Sequence, residues 1–146
     1  MSLTTGRAPH SPDPAGRFVP AGSDGGLPSY VEPLLRRVRG LQGGHTLIDS
    51  ERVLLVHGPG QPPAYAFPER DVSSALTTTP EPAAPGYVRV PWEAISDWYE
   101  EAERVLGHPK NPYHRIDCLR AQRRLRVEVD SQVLVDTKDV IALFET

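Results

Sequence analysis

Alternating apolar and charged residues mark two segments of the chain as β-hairpins. Residues 125–129 follow the period-two pattern of a half-buried strand. A turn at 130–132 and a second apolar run at 133–135 complete this hairpin. The segment around Gly43-Gly44 has the same arrangement, with the two glycines in the turn. Glycine suits this position because it adopts the positive φ of a tight turn without steric cost.

The two hairpins form an internal repeat at an offset of 87 residues. Segment 36–56 aligns without gaps on segment 123–143, with six identical residues in 21 positions. The alternative is that any two β-hairpins resemble each other to this degree. Asp49 and Asp136 follow the second strand of each copy, where a short carboxylate accepts hydrogen bonds from nearby backbone amides.

The spacing of apolar residues predicts one amphipathic helix over residues 91–106. Pro91 suits a first helical position, and Gly107 suits the position after the last turn. Apolar residues recur at spacings of three and four at Ile95, Trp98, Tyr99, Ala102, Val105 and Leu106. The opposite face is acidic and is interpreted as solvated, with contact to the hairpin arginines as the alternative; it carries Glu93, Asp97, Glu100, Glu101 and Glu103.

Composition sets the domain plan and the fold class. The 146 residues include 16 prolines and 12 glycines, which predicts short elements separated by turns. Residues 1–29 have little apolar bulk, so we expect a flexible Pro/Gly-rich tail or a strap lying on the domain. Residues 30–146 are then one domain that is mainly β with one clear helix (α+β), and a second repeat begins at 123–146.

Charge and hydropathy exclude several function classes. The net charge is −3 and the pI is about 5.9, so there is no basic field for nucleic acid or anionic membranes. The sequence has no apolar run of about eighteen residues and no signal-peptide pattern. We therefore expect a cytoplasmic protein that binds neither nucleic acid nor membrane.

The densest group of functional side chains lies in residues 107–118, after the predicted helix. Two prolines stiffen this loop, which lowers the entropy lost on binding. We expect it to bind a small anionic ligand through Arg115, with Asp117 orienting that guanidinium. The alternative is structural: Tyr113 packs on the core and Arg115 pairs with Asp117. The candidate ligand-binding residues are Trp98, His108, Lys110, Asn111, Tyr113, His114, Arg115 and Asp117.

The sequence identifies no catalytic residue, cofactor or metal site. His108, His114 and Cys118 lack the number and spacing of ligands for a closed zinc site, and Cys118 is expected to be a buried, inert thiol. Nucleophile-elbow, dinucleotide and phosphate-loop motifs are absent from the sequence. The pattern favours a non-enzymatic module for small-ligand binding or assembly, with a general acid–base enzyme using His108 or His114 as an alternative.

Three segments resemble a bacterial family known as domain of unknown function 427 (DUF427), which is common in actinobacteria. They are residues 62–72, residues 86–92, and residues 108–117 followed by 124–129. The resemblance implies antiparallel strands in a compact β-tent-like or small barrel-like arrangement. The family's nucleotidyltransferase-type label implies nucleotidyl or phosphoryl transfer as the alternative function, and the groups available for it are Asp71, Lys110, Arg115 and Asp117.

The chain departs from the family pattern in two places. Residues 77–85 stand where many members carry a Cys-Pro-Tyr-Lys-Gly run, so chemistry that depends on that cysteine and lysine is not expected here. Longer members have a second copy of the domain, and this chain stops inside that copy. We therefore expect a natural short form or a truncated piece.

The C-terminal segment 140–144 predicts a homodimer. It is apolar and β-prone, and an uncovered strand edge favours pairing with another chain. Twofold symmetry satisfies both copies at once. The alternative is a monomer in which the N-terminal strap covers this edge.

Overall fold

The computed structural model describes residues 8–21, 26–114 and 116–145. In this part of the chain, every strand pairing is antiparallel. The strands are β1 (Arg17–Val19), β2 (Ser29–Leu34), β3 (Val38–Gln42), β4 (His45–Ser50), β5 (Val53–His57), β6 (Ala64–Pro68), β7 (Thr79–Pro80), β8 (Tyr87–Arg89), β9 (Asp97–Glu100), β10 (Glu103–Val105), β11 (Ile116–Ala121), β12 (Leu125–Val129), β13 (Gln132–Thr137) and β14 (Val140–Glu145). Three-residue 3-10 turns lie at Glu69–Asp71, Trp92–Ala94 and Pro112–His114.

The strands form several small sheets. One sheet has the order β1-β2-β5-β6-β8-β7, a second has the order β10-β9-β3-β4, and β11-β14 and β12-β13 are two-stranded. None of these sheets closes into a barrel within the described residues. The antiparallel pairing agrees with the sequence prediction, whereas the tent-like or barrel-like arrangement does not. The described helical segments are too short to cross a membrane.

The predicted helix over 91–106 is wrong, because most of this segment is a β-hairpin. Strand β9 pairs with β10, and Val105 lies opposite Trp98. Burial alternates along β9, so that Trp98 and Glu100 point inward. Glu101 adopts a left-handed φ of 53° at the turn. The α+β class is therefore wrong, since the described helical segments are only the three short turns.

The main hydrophobic core draws on both larger sheets. Its buried members are Leu34, Val38, Ile48, Val53, Leu55, Tyr65, Phe67, Ile95, Trp98 and Val105. Strand β1 adds to the edge of the first sheet by pairing with β2. Residues 17–19 of the predicted N-terminal tail therefore lie on the domain as a strand.

Strands β11–β14 have the strand pattern of β2–β5 at the offset of 87 residues. We call β2–β5 the first unit and β11–β14 the second unit. Tyr30 pairs with His57 in the first unit, and the equivalent residues Asp117 and Phe144 pair in the second. A register shift follows Gly40 in β3, and another follows its equivalent Val127 in β12.

An ion pair recurs in the same way. The Arg37 guanidinium binds both carboxylate oxygens of Asp49 at 2.7 and 2.6 Å, and Arg124 binds those of Asp136 at 2.6 and 2.5 Å. Among the described residues these carboxylates thus bind arginine side chains, whereas the sequence predicted backbone amides as their donors. The strand bounds and the ion pair of the two hairpins thus coincide at the offset of 87 residues.

A buried arginine connects the first unit to the β9–β10 hairpin and to the second unit. Arg36 is 2% exposed, and its Nη1 donates to Glu100 Oε2 at 2.5 Å. Its Nη2 lies 2.9 Å from Asp117 Oδ2, and its guanidinium carbon lies 4.2 Å from the centre of the Phe144 ring. Glu101, next along the chain, is likewise buried and pairs with Arg123. Glu100 and Glu101, which the sequence placed on a solvated helix face, are thus buried and pair with Arg36 and Arg123.

Replacing Arg36 should therefore destabilise the fold strongly. Arg36→Met leaves the buried carboxylates of Glu100 and Asp117 without this cation, and we expect a loss of about 3–5 kcal/mol in the free energy of unfolding. Arg37→Met is the matched control, because its pair with Asp49 is partly exposed to solvent and surface pairs contribute about 0–1 kcal/mol. Urea denaturation of both variants measures the difference, and equal losses would contradict this role of Arg36.

Candidate functional site

A small apolar pocket lies where β6, the 3-10 turn at Trp92–Ala94, β9 and the loop after β10 meet. Its volume is about 140 Å³. The side chains that determine its chemistry are Tyr65, Arg89, Val90, Trp92, Trp98 and His108. We refer to it as the aromatic pocket.

The aromatic walls of this pocket are stacked and hydrogen-bonded. The Trp92 and Trp98 rings stack with centroids 4.9 Å apart, and Tyr65 lies 5.7 Å from Trp98. The Trp98 indole N–H donates to the Trp92 carbonyl at 3.1 Å. Phe67 stacks behind Trp98 at 6.0 Å. Rings held on several sides present a preorganised apolar surface.

The polar edge of Tyr65 is also fixed. Its hydroxyl donates to Glu100 Oε1 at 2.5 Å, and the other oxygen of Glu100 accepts from Arg36. The buried ion-pair network therefore sets the position of one pocket wall. A buried hydroxyl without such a partner would cost about 1–3 kcal/mol.

Two nitrogen-bearing side chains lie at the rim of the pocket. Arg89 is held through its Nε by the buried carboxylate of Glu81. A guanidinium has five N–H donors, so this bond leaves further donors on Arg89. His108 is exposed, and its Nδ1 lies 2.7 Å from the Pro109 carbonyl oxygen. Because a carbonyl only accepts, Nδ1 carries a proton, and the neutral ring accepts at Nε2.

The structure brings together only part of the predicted ligand-binding set. Trp98 and His108 both line the aromatic pocket. Lys110 is exposed and is not one of the residues that line the aromatic pocket. The side chain of Asn111 accepts from the Tyr113 amide at 2.9 Å, a local turn contact.

The remaining predicted residues lie elsewhere or are not described. Asp117 pairs with Arg36 at 2.9 Å, so its carboxylate belongs to the buried network. Arg115 and the side chain of His114 lie outside the described residues. Tyr113 belongs to a second polar cluster, with Glu32.

This second cluster is built around the buried carboxylate of Glu32, which is 1% exposed. Oε1 lies 2.6 Å from His57 Nε2, and Oε2 accepts from the Tyr113 hydroxyl. Burial is the largest cause that raises the pKa of Tyr113 above its ordinary value, and the hydrogen bond to Glu32 is the next. Tyr113 therefore remains a protonated donor at neutral pH. A carboxylate also fixes the tautomer of the imidazole it binds, as in hydrolytic triads.

The carboxylates considered for transfer chemistry lie in separate ion pairs. Asp71 binds Arg52 at 2.7 Å and accepts from the Ser50 hydroxyl at 2.7 Å, whereas Asp117 binds Arg36. Among the described residues, no group of three or more His, Cys, Asp or Glu side chains is placed to hold a metal ion. Cys118 is exposed, so the prediction of a buried thiol is wrong.

Several residues of these two clusters were missed by the sequence reasoning, although one signal was available for the aromatic pocket. Each of the three segments that resemble DUF427 supplies part of its lining. Tyr65 comes from segment 62–72, Trp92 from 86–92, and His108 from 108–117. Glu32 and His57 had no such signal, because single polar residues in strands are common and their partner Tyr113 is distant in sequence.

Comparison with known proteins identifies no relative. No protein-family model, no curated protein and no solved structure matches the chain. The resemblance to DUF427 therefore remains a prediction.

The Glu32 cluster yields a test by mutation. Tyr113→Phe removes one of the two side-chain donors to a buried carboxylate, and we expect the free energy of unfolding at neutral pH to fall by about 1–3 kcal/mol. Tyr99→Phe is the control, because Tyr99 contacts Arg39 through its ring face, which phenylalanine retains. Urea denaturation measures both, and equal stability of the two variants would contradict the role of Tyr113.

The same tyrosine predicts a pH dependence. The folded-state pKa of Tyr113 is raised above the ordinary tyrosine value of 10.0, so on raising the pH the unfolded chain loses this proton first. The stability contributed by Tyr113 is thus complete below about pH 10 and is lost above it. Between pH 9 and pH 11 the wild-type protein should lose stability more steeply than Tyr113→Phe, and parallel curves would contradict this.

Proposed function

We propose that this protein is a small-ligand-binding module whose binding site is the aromatic pocket. The observation that supports this most directly is the convergence of Tyr65, Trp92 and Trp98 on one pocket, with the polar atoms of Tyr65 and Trp98 already hydrogen-bonded. Because those atoms have partners inside the protein, the walls offer apolar contact. A concave apolar site with a few polar groups at its rim is the usual form of a small-molecule site.

The size of the pocket and its rim indicate the class of ligand. A cavity of about 150 Å³ is known to hold one benzene molecule, so a pocket of about 140 Å³ fits a single aromatic ring. The Arg89 guanidinium at the rim favours an anionic substituent. We infer that the ligand is a planar, single-ring molecule with a carboxylate or a comparable anionic group.

The alternative function, nucleotidyl or phosphoryl transfer, has less support. Such reactions use carboxylates to hold Mg²⁺ beside the transferred phosphate. Asp71 and Asp117 are engaged by Arg52 and Arg36 respectively. A role in binding without chemistry therefore agrees better with the geometry.

Tryptophan fluorescence tests the proposal directly. The chain has two tryptophans, and both line the pocket, so a ligand there must change their emission. Benzoate should give a saturable change, benzyl alcohol a change at higher concentration because it lacks the charge, and acetate none because it lacks the ring. If benzoate produces no saturable change, the proposed ligand class is wrong.

Three variants then locate the site. Val90→Phe fills the pocket and should abolish the benzoate response, and His108→Ala should weaken binding by about twofold to tenfold through loss of a rim contact. Lys110→Ala is the matched control, since it removes an exposed cation of the same loop that does not line the pocket. A response that depends on Lys110 and not on Val90 would place the ligand in the loop and contradict the proposal.

A further inference from the structure

Gly16 and strand β1 lie close against the first sheet. The Gly16 amide donates to the Tyr30 hydroxyl oxygen at 2.8 Å, and each residue of β1 pairs with a residue of β2 or its start. A Cβ atom at Gly16 would overlap the Val31 carbonyl oxygen and lie 2.7 Å from the Glu32 Cβ. Any side chain at position 16 would therefore push this segment away from β2.

Hydrogen bonds connect β1 to the rim of the aromatic pocket. Arg17 donates through Nη2 to the Ala83 carbonyl at 3.1 Å. The Ala83 amide donates to Glu81 Oε1 at 2.9 Å, and Glu81 Oε2 accepts from Arg89 Nε. Val19 of β1 packs against the apolar cluster that contains Ala83. Strand β1 thus contacts the turn whose backbone holds the Glu81 carboxylate.

The Glu81 carboxylate orients Arg89. It is buried, and both of its oxygens are engaged, one by a backbone amide and the other by the guanidinium. Because Nε of Arg89 is occupied, the donors that remain for a ligand are on the two Nη nitrogens. A guanidinium binds a carboxylate best through two parallel hydrogen bonds. The orientation of Arg89 therefore decides how well an anion at the rim is bound.

Arg89 has room to leave this orientation. Its side chain is 40% exposed, and it lines a second cleft as well as the aromatic pocket. This cleft has a volume of about 630 Å³, and Val19 and Ala83 border it. Without Glu81 in place, the guanidinium can turn from the rim of the pocket into the open cleft. The anion contact thus depends on the groups that hold Glu81.

We propose that strand β1 sets the preference of the aromatic pocket for anionic ligands. Gly16 and Arg17 are positioning residues that act on Arg89 through the turn at 81–83. This inference rests on the proposed function, because it concerns the anion contact of the same site. The aromatic walls are hydrogen-bonded to groups outside β1, so displacement of β1 weakens the anion contact and leaves the ring contact in place.

Gly16→Ala tests this separation of the two contacts. The added Cβ should displace β1, and the ratio of benzoate affinity to benzyl alcohol affinity should fall by about twofold to tenfold, because one charge-assisted contact is weakened. Tryptophan fluorescence measures both affinities, and that for benzyl alcohol should stay close to the wild-type value. A general loss of folded protein would lower both affinities together and would not change their ratio.

Gly58→Ala is the matched control. A Cβ at Gly58 meets only the Gln61 Cβ, at 3.9 Å, and neither Gly16 nor Gly58 has a left-handed φ. Alanine therefore adds only its methyl group at each position, and only at Gly16 does that group meet the neighbouring strand. The affinity ratio of Gly58→Ala should equal that of the wild type.

Arg17→Ala tests the hydrogen bond to Ala83 without an added side chain on β1. The affinity ratio should fall in the same direction as for Gly16→Ala, by about twofold, because β1 keeps its backbone pairing and loses one bond. Arg126→Ala is its matched control, since it removes the same charge from an exposed arginine that pairs with Glu128. This control should leave the ratio unchanged.

A second readout needs no ligand. In ¹⁵N-labelled protein the Arg89 Nε–H should exchange slowly with water, because it donates to a buried carboxylate. Loss of this resonance in Arg89→Lys identifies it. Gly16→Ala should speed the exchange by at least about threefold, since exchange requires that the bond opens. Gly58→Ala should leave the exchange rate unchanged.

Two results would overturn the proposal. The first is an affinity ratio that is equal in Gly16→Ala and Gly58→Ala, and the second is an exchange rate at Arg89 that Gly16→Ala does not alter. A wild-type protein without a saturable benzoate response overturns the proposed function instead. The exchange rate then still decides whether β1 positions Arg89, so the two failures are distinguished.

Discussion

The buried guanidinium of Arg36 is the constraint on which most of the structure depends. Removing a cation from water costs several kcal/mol, and a protein tolerates this only when the charge is paired and hydrogen-bonded. Arg36 obtains its partners from two distant parts of the chain, Glu100 of β9 and Asp117 of β11. Any arrangement that moved either strand away would leave uncompensated charges in the interior. The two ion pairs of Arg36 thus restrict where β9 and β11 can lie. Apolar contacts alone restrict these positions less strictly.

This constraint extends to the aromatic pocket through Glu100. The carboxylate accepts from Arg36 with one oxygen and from the Tyr65 hydroxyl with the other. The position of Tyr65 is therefore coupled to the network that also orients the β9–β10 hairpin, which supplies Trp98. The two pocket walls are set by one group of buried polar atoms, so the pocket is formed before any ligand arrives.

The sequence predicted the local features of the fold and failed where long-range contacts decide. The hairpins at 38–50 and 125–137 follow from alternation and turn residues, and both are present. The helix over 91–106 failed because Trp98 and Val105 are spaced for a helix face and also lie opposite each other in a tight hairpin. The inward direction of Glu100 distinguishes the hairpin from the helix. An inward glutamate can be predicted, however, only when Arg36 is known to face it.

The candidate site shows the same difference between local features and long-range contacts. His108 belongs to the dense segment and Trp98 to the apolar positions of the predicted helix before it, and both line the pocket. Asn111 and Tyr113 come from the same segment, yet they serve a local turn and a buried carboxylate 81 residues away. The sequence predicted where functional side chains are concentrated, whereas the direction of each side chain depended on partners in other strands.

The two units separate what a hairpin determines by itself from what its surroundings determine. The bidentate arginine–aspartate pair and the position of the register shift depend on residues within the hairpin, and both recur at the offset of 87. Burial recurs only in part: Ala121 and Ala142 are buried like their equivalents Leu34 and Leu55. Val38 is fully buried, whereas its equivalent Leu125 lines an open groove. The difference arises from β6 and β9, which cover the first unit and have no counterpart on the second among the described residues. The hairpin sequence therefore encodes an apolar surface. In the first unit, β6 and β9 pack on that surface and make it part of the core.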